Sequence, residues 1–374
     1  MSSSERFPAL DVFRGMTICF MIIVNTAGDS STTFSPLLHA SWHGFTPTDL
    51  VFPSFLFAVG NALSFVMVKW NNMGQMQVLM KILKRTILIF LLGFLMYWFP
   101  FFQYNDAGQL VFSPFENTRI FGVLQRIALC YGITAIMLYY LKPKLTVIIT
   151  CIILILYWII MMYYGAAPDP LAMTANAGYR LDLWLLGEKH LYHGEGVAFD
   201  PEGLLSTFPA IGNVVIGYLA GSFIQKKGKT FETLAKLLLA GFVLITVAYF
   251  WDLVFPINKK LWTSSFVLYT TGLDCVILAT IMYVIDFLKK TRWTYFFQVF
   301  GKNPLSIYLL SEILAILLYF FHTNSGSSWY RSIYKSVFSR FGGYAGSLLF
   351  AVSFMLTCWL VGWWMDKRKI YIRV

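Results

Sequence analysis

The chain has 374 residues, 58% of them hydrophobic and only 13% charged, with a formal net charge of +11. A water-exposed surface needs roughly a quarter to a third of its positions charged, so a soluble globular fold is excluded. The cations sit in short loops beside apolar runs, which is the pattern that sets membrane topology, so no nucleic-acid partner is expected.

The apolar runs are about 20 residues long, enough to cross about 30 Å of hydrocarbon at about 1.5 Å per residue. They are continuous rather than alternating, which selects helices over a closed barrel. The expected fold is all-α: a polytopic integral membrane protein of about ten transmembrane helices, both termini cytoplasmic, forming a single transmembrane domain over residues 1–374. The five cysteines, Cys19, Cys130, Cys151, Cys275 and Cys358, each lie alone in an apolar run and form neither a disulfide framework nor a metal cluster. No cleavable leader is expected at the N-terminus.

The first span is expected at residues 8–27, where Asp11 and Arg14, three apart, share a helix face and can pair. The stretch from Asn25 to Gly60 then joins it to the second span, residues 48–68. This stretch holds His39 and His43 and has no Lys or Arg, which makes it the natural place for chemistry at the membrane edge. Thr46 or Thr48 can cap the second span, Pro47 suits its first turn, and Asp49 suits its positive dipole end. Asp49 is also the type of acid that orients an imidazole such as His39.

Lys69, Lys81, Lys84 and Arg85 mark a cytoplasmic loop before a third span that ends near Pro100, and an external loop with Asp106 and Glu116 follows. The fourth span, residues 120–141, contains Gln125 and Arg126; a buried Arg needs a partner or a cavity, so Arg126 is a functional candidate or a structural ion pair. The fifth, 145–164, precedes the long polar segment 165–202, read as an ordered external cover. His190 and His193 stand three apart in it, a spacing that binds metal only with further ligands, and no metal is expected. Spans are expected at 204–224, at 234–253, which leads outside through Asn258, Lys259 and Lys260, and at 262–288, which carries Asp274. The ninth starts at Pro304, where Asn303 can cap the helix and the adjacent Lys302 can help hold a phosphate. Glu312 lies within it. The tenth covers 344–365.

Six stretches occur in order from Leu10 to Glu312: LDVFRG, the Val24–Asn25 pair, HASWHGFTPTDLVFPSFLFAVG, GVLQRIALCYG, DPEGLLSTFPAIGN and GKNPLSIYLLSE. Together they resemble the heparan-α-glucosaminide N-acetyltransferase family of membrane acyltransferases. The resemblance implies transfer of an acetyl group from cytosolic acetyl-CoA to an amino sugar of the glucosamine type on the external or periplasmic side. It implies His39 as the catalytic histidine, either general base or acyl carrier, and Asn25 as a second active-site residue. His43 departs from the lysosomal member, which has Asn there.

Acyl transfer to an amine needs a base, donors for the developing oxyanion and a dry cavity, and a histidine suits the first role near neutral pH. Asn25, and Trp42 through its indole N–H, are candidate donors. Lys84, Arg85, Lys302 and Asn303 are candidates for the phosphates of CoA at a cytoplasmic entrance, with Gln125 and Arg126 deeper. Trp42, His43, Glu188, His190, Asp200, Glu202 and Trp184 are candidates for the acceptor. The expected partners are the lipid bilayer, acetyl-CoA and an amino-sugar acceptor, with a homodimer left open, in a bacterial inner membrane. The competing reading is an amino-sugar permease, because Arg126, Asp274 and Glu312 within spans also suit transport.

Overall fold

The computed structural model describes residues 7–105, 107–324 and 326–372, so Asp106 lies outside the described residues. The chain is a helical bundle: α1 (Pro8–Asn25), α2 (Val51–Trp70), α3 (Gln75–Trp98), α4 (Val123–Tyr140), α5 (Lys142–Tyr164), the short α6 (Ala177–Leu186), α7 (Leu204–Lys227), α8 (Phe231–Asp252), α9 (Ser264–Met282), α10 (Thr294–Lys302), α11 (Pro304–Phe320), α12 (Trp329–Ile333) and α13 (Gly343–Lys367). Among the described residues, eight helices are long and apolar enough to cross a membrane, or nine if α10 and α11, bent by 83°, count as one span. The expected third span is the 24-residue α3, whose first half carries Lys81, Lys84 and Arg85 and which is not among the eight. The loop after α3 contains a feature absent from the sequence reading, an antiparallel pair of three-residue strands, β1 (Phe102–Tyr104) and β2 (Leu110–Phe112).

Proline and small residues explain much of this shape. Pro8, Pro143 and Pro304 stand in the first turns of α1, α5 and α11, where the missing N–H costs nothing. Pro304 also prevents α10 from running on through Asn303, which sets the bend. The helix α7 lies at the centre, packed by α2, α4, α5 and α9, whereas α5 and α8 leave most of their apolar surface outward, as lipid-facing helices do. At the α2–α7 crossing, a Cβ on Gly60 would stand 2.0 Å from the Val214 carbonyl oxygen, and one on Gly217 would stand 2.1 Å from that of Phe57. Backbones approach this closely in membranes only where side chains are absent, and the gain is packing between the helices.

The ends of the bundle differ. One gathers the start of α1 and the end of α2, where the Phe7 and Phe65 rings meet at 5.9 Å, together with Lys302 and the C-terminal residues 370–372. The other gathers the end of α1, the loop 26–50, the segment 165–203 and the turn 253–263. The first end opens into a cavity of about 860 Å³.

Candidate active site

The loop after α1 is pinned to the start of α2 by its own polar groups. Thr46 Oγ1 donates to the Leu38 carbonyl at 2.7 Å and Thr48 Oγ1 to that of Pro36 at 3.0 Å. Asp49, fully buried, organises the rest. Its Oδ2 accepts from the backbone N–H of Ala40 at 3.1 Å, and from the N–H and hydroxyl of Thr46 at 3.0 Å each. Its Oδ1 stands 2.7 Å from Nδ1 of His39, whose side chain is 44% exposed. Both sequence readings of Asp49 therefore hold at once: it begins the second span and it holds the imidazole. Because a carboxylate accepts at Nδ1, the proton belongs there, and Nε2 carries the lone pair.

Lys259 lies against the imidazole ring. Its Nζ lies 3.1 Å from Nε2, 3.0 Å from Nδ1 and 3.9 Å from Asp49 Oδ1. The sequence marked Lys259 and Lys260 only as cations of an external loop. That turn instead folds inward: Asn258 is fully buried and accepts from Leu261 N–H at 2.8 Å, while Trp262, in a left-handed conformation at φ 54°, is also fully buried. Burial pushes the Lys259 amine below the usual lysine range, against the pull of Asp49 and Glu202. Lys260 points elsewhere, to the Ser41 carbonyl at 3.0 Å and Glu195 at 2.6 Å.

A second polar cluster adjoins the first. Arg119, which the sequence reading passed over, grips Asp200 through Nε at 2.9 Å and NH2 at 2.6 Å, and Glu202 through NH2 at 2.6 Å; its guanidinium lies over the rings of Tyr97 and Tyr192. Burial raises the Asp200 carboxyl, whereas Arg119, Arg126 and Lys259 overcome burial and hold Glu202 below its usual range. Glu202 is within electrostatic range of Lys259 on one side and Tyr308 on the other, and Tyr308 in turn of Glu312. Glu312 Oε1 accepts from the Asn25 side-chain amide at 3.4 Å.

Several expected roles change. The Trp42 indole N–H is used on the Leu171 carbonyl at 3.2 Å, so it does not serve an oxyanion, and its ring packs on Phe199. His43 Nδ1 faces the Asn258 amide at 3.3 Å, and burial lowers that imidazole. His190 Nδ1 is spent on the Thr118 carbonyl at 2.8 Å, Glu188 is exposed, and Trp184 is 81% exposed, so these three do not line a common acceptor site. Asp200 and Glu202 are both paired with Arg119. Arg126 is fully buried but on the His39 side of the bundle: it donates to the Gly203 carbonyl at 3.2 Å and to Ser206, under the Trp262 ring, because the first turn of α7 meets α4 there. Gln125 is turned to the Ile120 carbonyl. Among the described residues no group of three metal-ligating side chains comes together.

At the opposite end, the cavity is walled by Arg14, Lys69, Arg85 and Lys302 at its mouth and by Phe55, Ile89, Leu124 and Ile127 within. It takes in two of the expected phosphate candidates, Arg85 and Lys302. It leaves out Lys84, which is exposed on α3, and Asn303, whose side chain instead ties down Ile370 and Ile372 of the C-terminal tail. Asp11 and Arg14, the expected ion pair, meet at 3.1 Å on the same wall. From Lys69 to Phe55 the cavity follows α2 for 14 residues, about 21 Å at about 1.5 Å per residue, and it stops six residues, about 9 Å, short of Asp49.

The model of the family described as heparan-alpha-glucosaminide N-acetyltransferase, catalytic, matches residues 6–255. The chain belongs to this family. It is similar to the mouse (Mus musculus) protein named heparan-alpha-glucosaminide N-acetyltransferase, 29% identical over 375 residues that cover 84% of this chain and 54% of the relative. To the human (Homo sapiens) protein of the same name it is 28% identical over 366 residues, covering 82% and 53%. The chain spans about half the length of the curated relatives it matches. Both names describe an acetyltransferase and neither a permease. The family match takes in His39, Asp49, Arg119, Asp200 and Glu202 and ends just before Lys259.

Proposed function

We propose that the chain is a membrane N-acetyltransferase that moves an acetyl group from acetyl-CoA to the amine of a glucosamine-type sugar. The observation that carries this reading is the His39–Asp49 pair: a half-exposed imidazole whose Nδ1 is fixed at 2.7 Å by a buried carboxylate, leaving Nε2 as a base. The ~860 Å³ cavity supports it from the other end. Its basic mouth suits the phosphates of CoA, and its apolar depth, aimed along α2 toward Asp49, suits an extended thioester arm. The names of the relatives supply the acceptor class.

In this reading the amine of the acceptor approaches Nε2 from the His39 end. His39 takes a proton as nitrogen attacks the carbonyl carbon, and Asp49 stabilises the imidazolium that results. Asn25, oriented by Glu312, is the candidate donor to the carbonyl oxygen. The alternative in which His39 carries the acetyl group itself uses the same geometry. The arrangement we favour has ten membrane crossings, with α3 and the bent α10–α11 pair as two of them and both termini in the cytoplasm, because the cations then collect inside. The donor cavity opens to the cytoplasm and His39 faces the periplasm of a bacterial inner membrane.

The test is transfer of radiolabelled acetyl from acetyl-CoA to glucosamine by the purified protein. His39→Ala should lower turnover roughly 10²- to 10⁴-fold, the worth of a positioned acid–base group, with acetyl-CoA binding retained. Near-full turnover in that variant would sink the proposal.

A further inference from the structure

Lys259 has no part in the scheme above, yet its amine lies against the His39 ring, 3.0 Å from Nδ1 and 3.1 Å from the nitrogen that acts as base. An acceptor amine must come to that same atom. Lys259 Nζ is therefore a primary amine within reach of the same base, with the Asp49 carboxylate 3.9 Å away. Its side chain is only 16% exposed. A buried lysine gives up its proton more readily than a solvated one, and burial lowers this one. The neighbouring Lys260 differs on each count that matters, since its ammonium is held by Glu195 at 2.6 Å and turned from the imidazole.

We infer that Lys259 is an internal acyl acceptor: with acyl thioester bound and no amino sugar present, its Nζ takes the acyl group with His39 as base. The inference rests on the acyl-transfer reading above. The step begins with the neutral amine, its extra proton having gone to solvent. Nζ attacks the thioester carbonyl carbon, an N–C amide bond forms and the C–S bond breaks. One proton leaves Nζ for Nε2 of His39 and passes to the departing sulfur, which leaves as a thiol. No further reactant is needed. The product is an amide, stable and uncharged, that lies across Nε2 and no longer answers Asp49. Donor without acceptor thus closes the site, and the amino sugar protects it by occupying the place first.

The experiment incubates the full-length protein in detergent with acetyl-CoA, with and without glucosamine, and maps the added mass of one acetyl group by peptide fragmentation. Transfer to glucosamine is measured on the same samples. Lys259 should label roughly 10²-fold or more faster than the exposed Lys144, reflecting the help of a positioned base. Lys260 in the same peptide should stay unlabelled, glucosamine should suppress the label, and residual transfer activity should fall in step with labelling. His39→Ala should drop the Lys259 rate to that of Lys144, and the glucosamine arm decides the matter in the wild type should that variant not fold. Transfer to glucosamine with no label at Lys259 overturns the inference and leaves the acyltransferase reading standing. Label at Lys259 that neither glucosamine nor His39→Ala affects also overturns it, as background chemistry. Neither transfer nor label overturns both.

Discussion

At the scale of single residues, the site rests on one carboxylate with two duties. Asp49 takes three donors on Oδ2, which fix the loop 36–46, and uses Oδ1 to hold His39. Asp49→Asn keeps the shape and an acceptor oxygen, but it removes the negative charge that stabilises an imidazolium. We expect turnover on glucosamine to fall on the order of 10²-fold, toward the lower end of what acid–base groups contribute, while the KM for acetyl-CoA changes little because the donor cavity stops about 9 Å away. A variant with unaltered kcat would remove Asp49 from the chemistry. This pairing was legible in the sequence, since ten residues separate the partners and a helix start must bring the acid to the membrane edge. Lys259 and Arg119 were not. Lys259 is 220 residues from His39, Arg119 is 81 from Asp200, and only the folded turn at Asn258–Trp262 and the seating of the segment before α7 bring them in.

Among the elements, the start of α7 depends on a side chain from outside it. Asp182 of α6, almost fully buried, accepts from the Leu204 N–H at 3.0 Å, and burial raises its carboxyl from 3.8 to about 7. A folded-state value above the unfolded one means the fold favours the protonated acid. The stabilisation is complete below about pH 4, declines as pH rises, and is lost once pH passes about 7. From 3.8 to about 7 this amounts to a few kcal/mol at about 1.4 kcal/mol per pH unit. Thermal unfolding in detergent should therefore show Asp182→Asn more stable than wild type at pH 8, by a much smaller margin at pH 5 and by none near pH 3.5; equal differences at all three values would mean the carboxyl does not change its protonation across this range. The α2–α7 crossing makes a second prediction. Gly217→Val places side-chain atoms where the Phe57 carbonyl stands, an overpacking that costs roughly 1–3 kcal/mol or more, read as a lowered Tm. Wild-type Tm would show that the helices can part there freely. Apolar runs made the long helices legible, with boundaries a few residues off. The β1–β2 pair and the bend at Asn303 were not, because three-residue strands carry little pattern and Pro304 reads equally as a simple helix start.

For the whole molecule, the question is whether two ends of one bundle serve two substrates. The basic mouth and the His39 site lie at opposite ends, and α2 runs between them from Lys69 to Asp49. Of the four phosphate ligands expected from the sequence, Arg85 and Lys302 line the cavity and Lys84 and Asn303 do not. The reason is rotational: Lys84 precedes Arg85 by one residue, about 100° around a helix of 3.6 residues per turn, and is exposed, while Arg85 turns inward onto the Tyr131 ring at 4.6 Å. The Arg85 Nε is buried without a hydrogen-bond partner, so a phosphate oxygen there would satisfy a donor the protein leaves unmet. A charge-assisted contact is worth about 1.5–3 kcal/mol, so Arg85→Gln should raise the KM for acetyl-CoA roughly 10- to 100-fold with a smaller change in kcat, and Lys84→Gln should do neither. Reconstituted in vesicles of one orientation, the protein should use acetyl-CoA only from the Lys302 side and acetylate glucosamine only on the His39 side. Equal transfer with both substrates confined to the His39 side would mean that the donor does not travel through the bundle, and the cavity would then need another occupant.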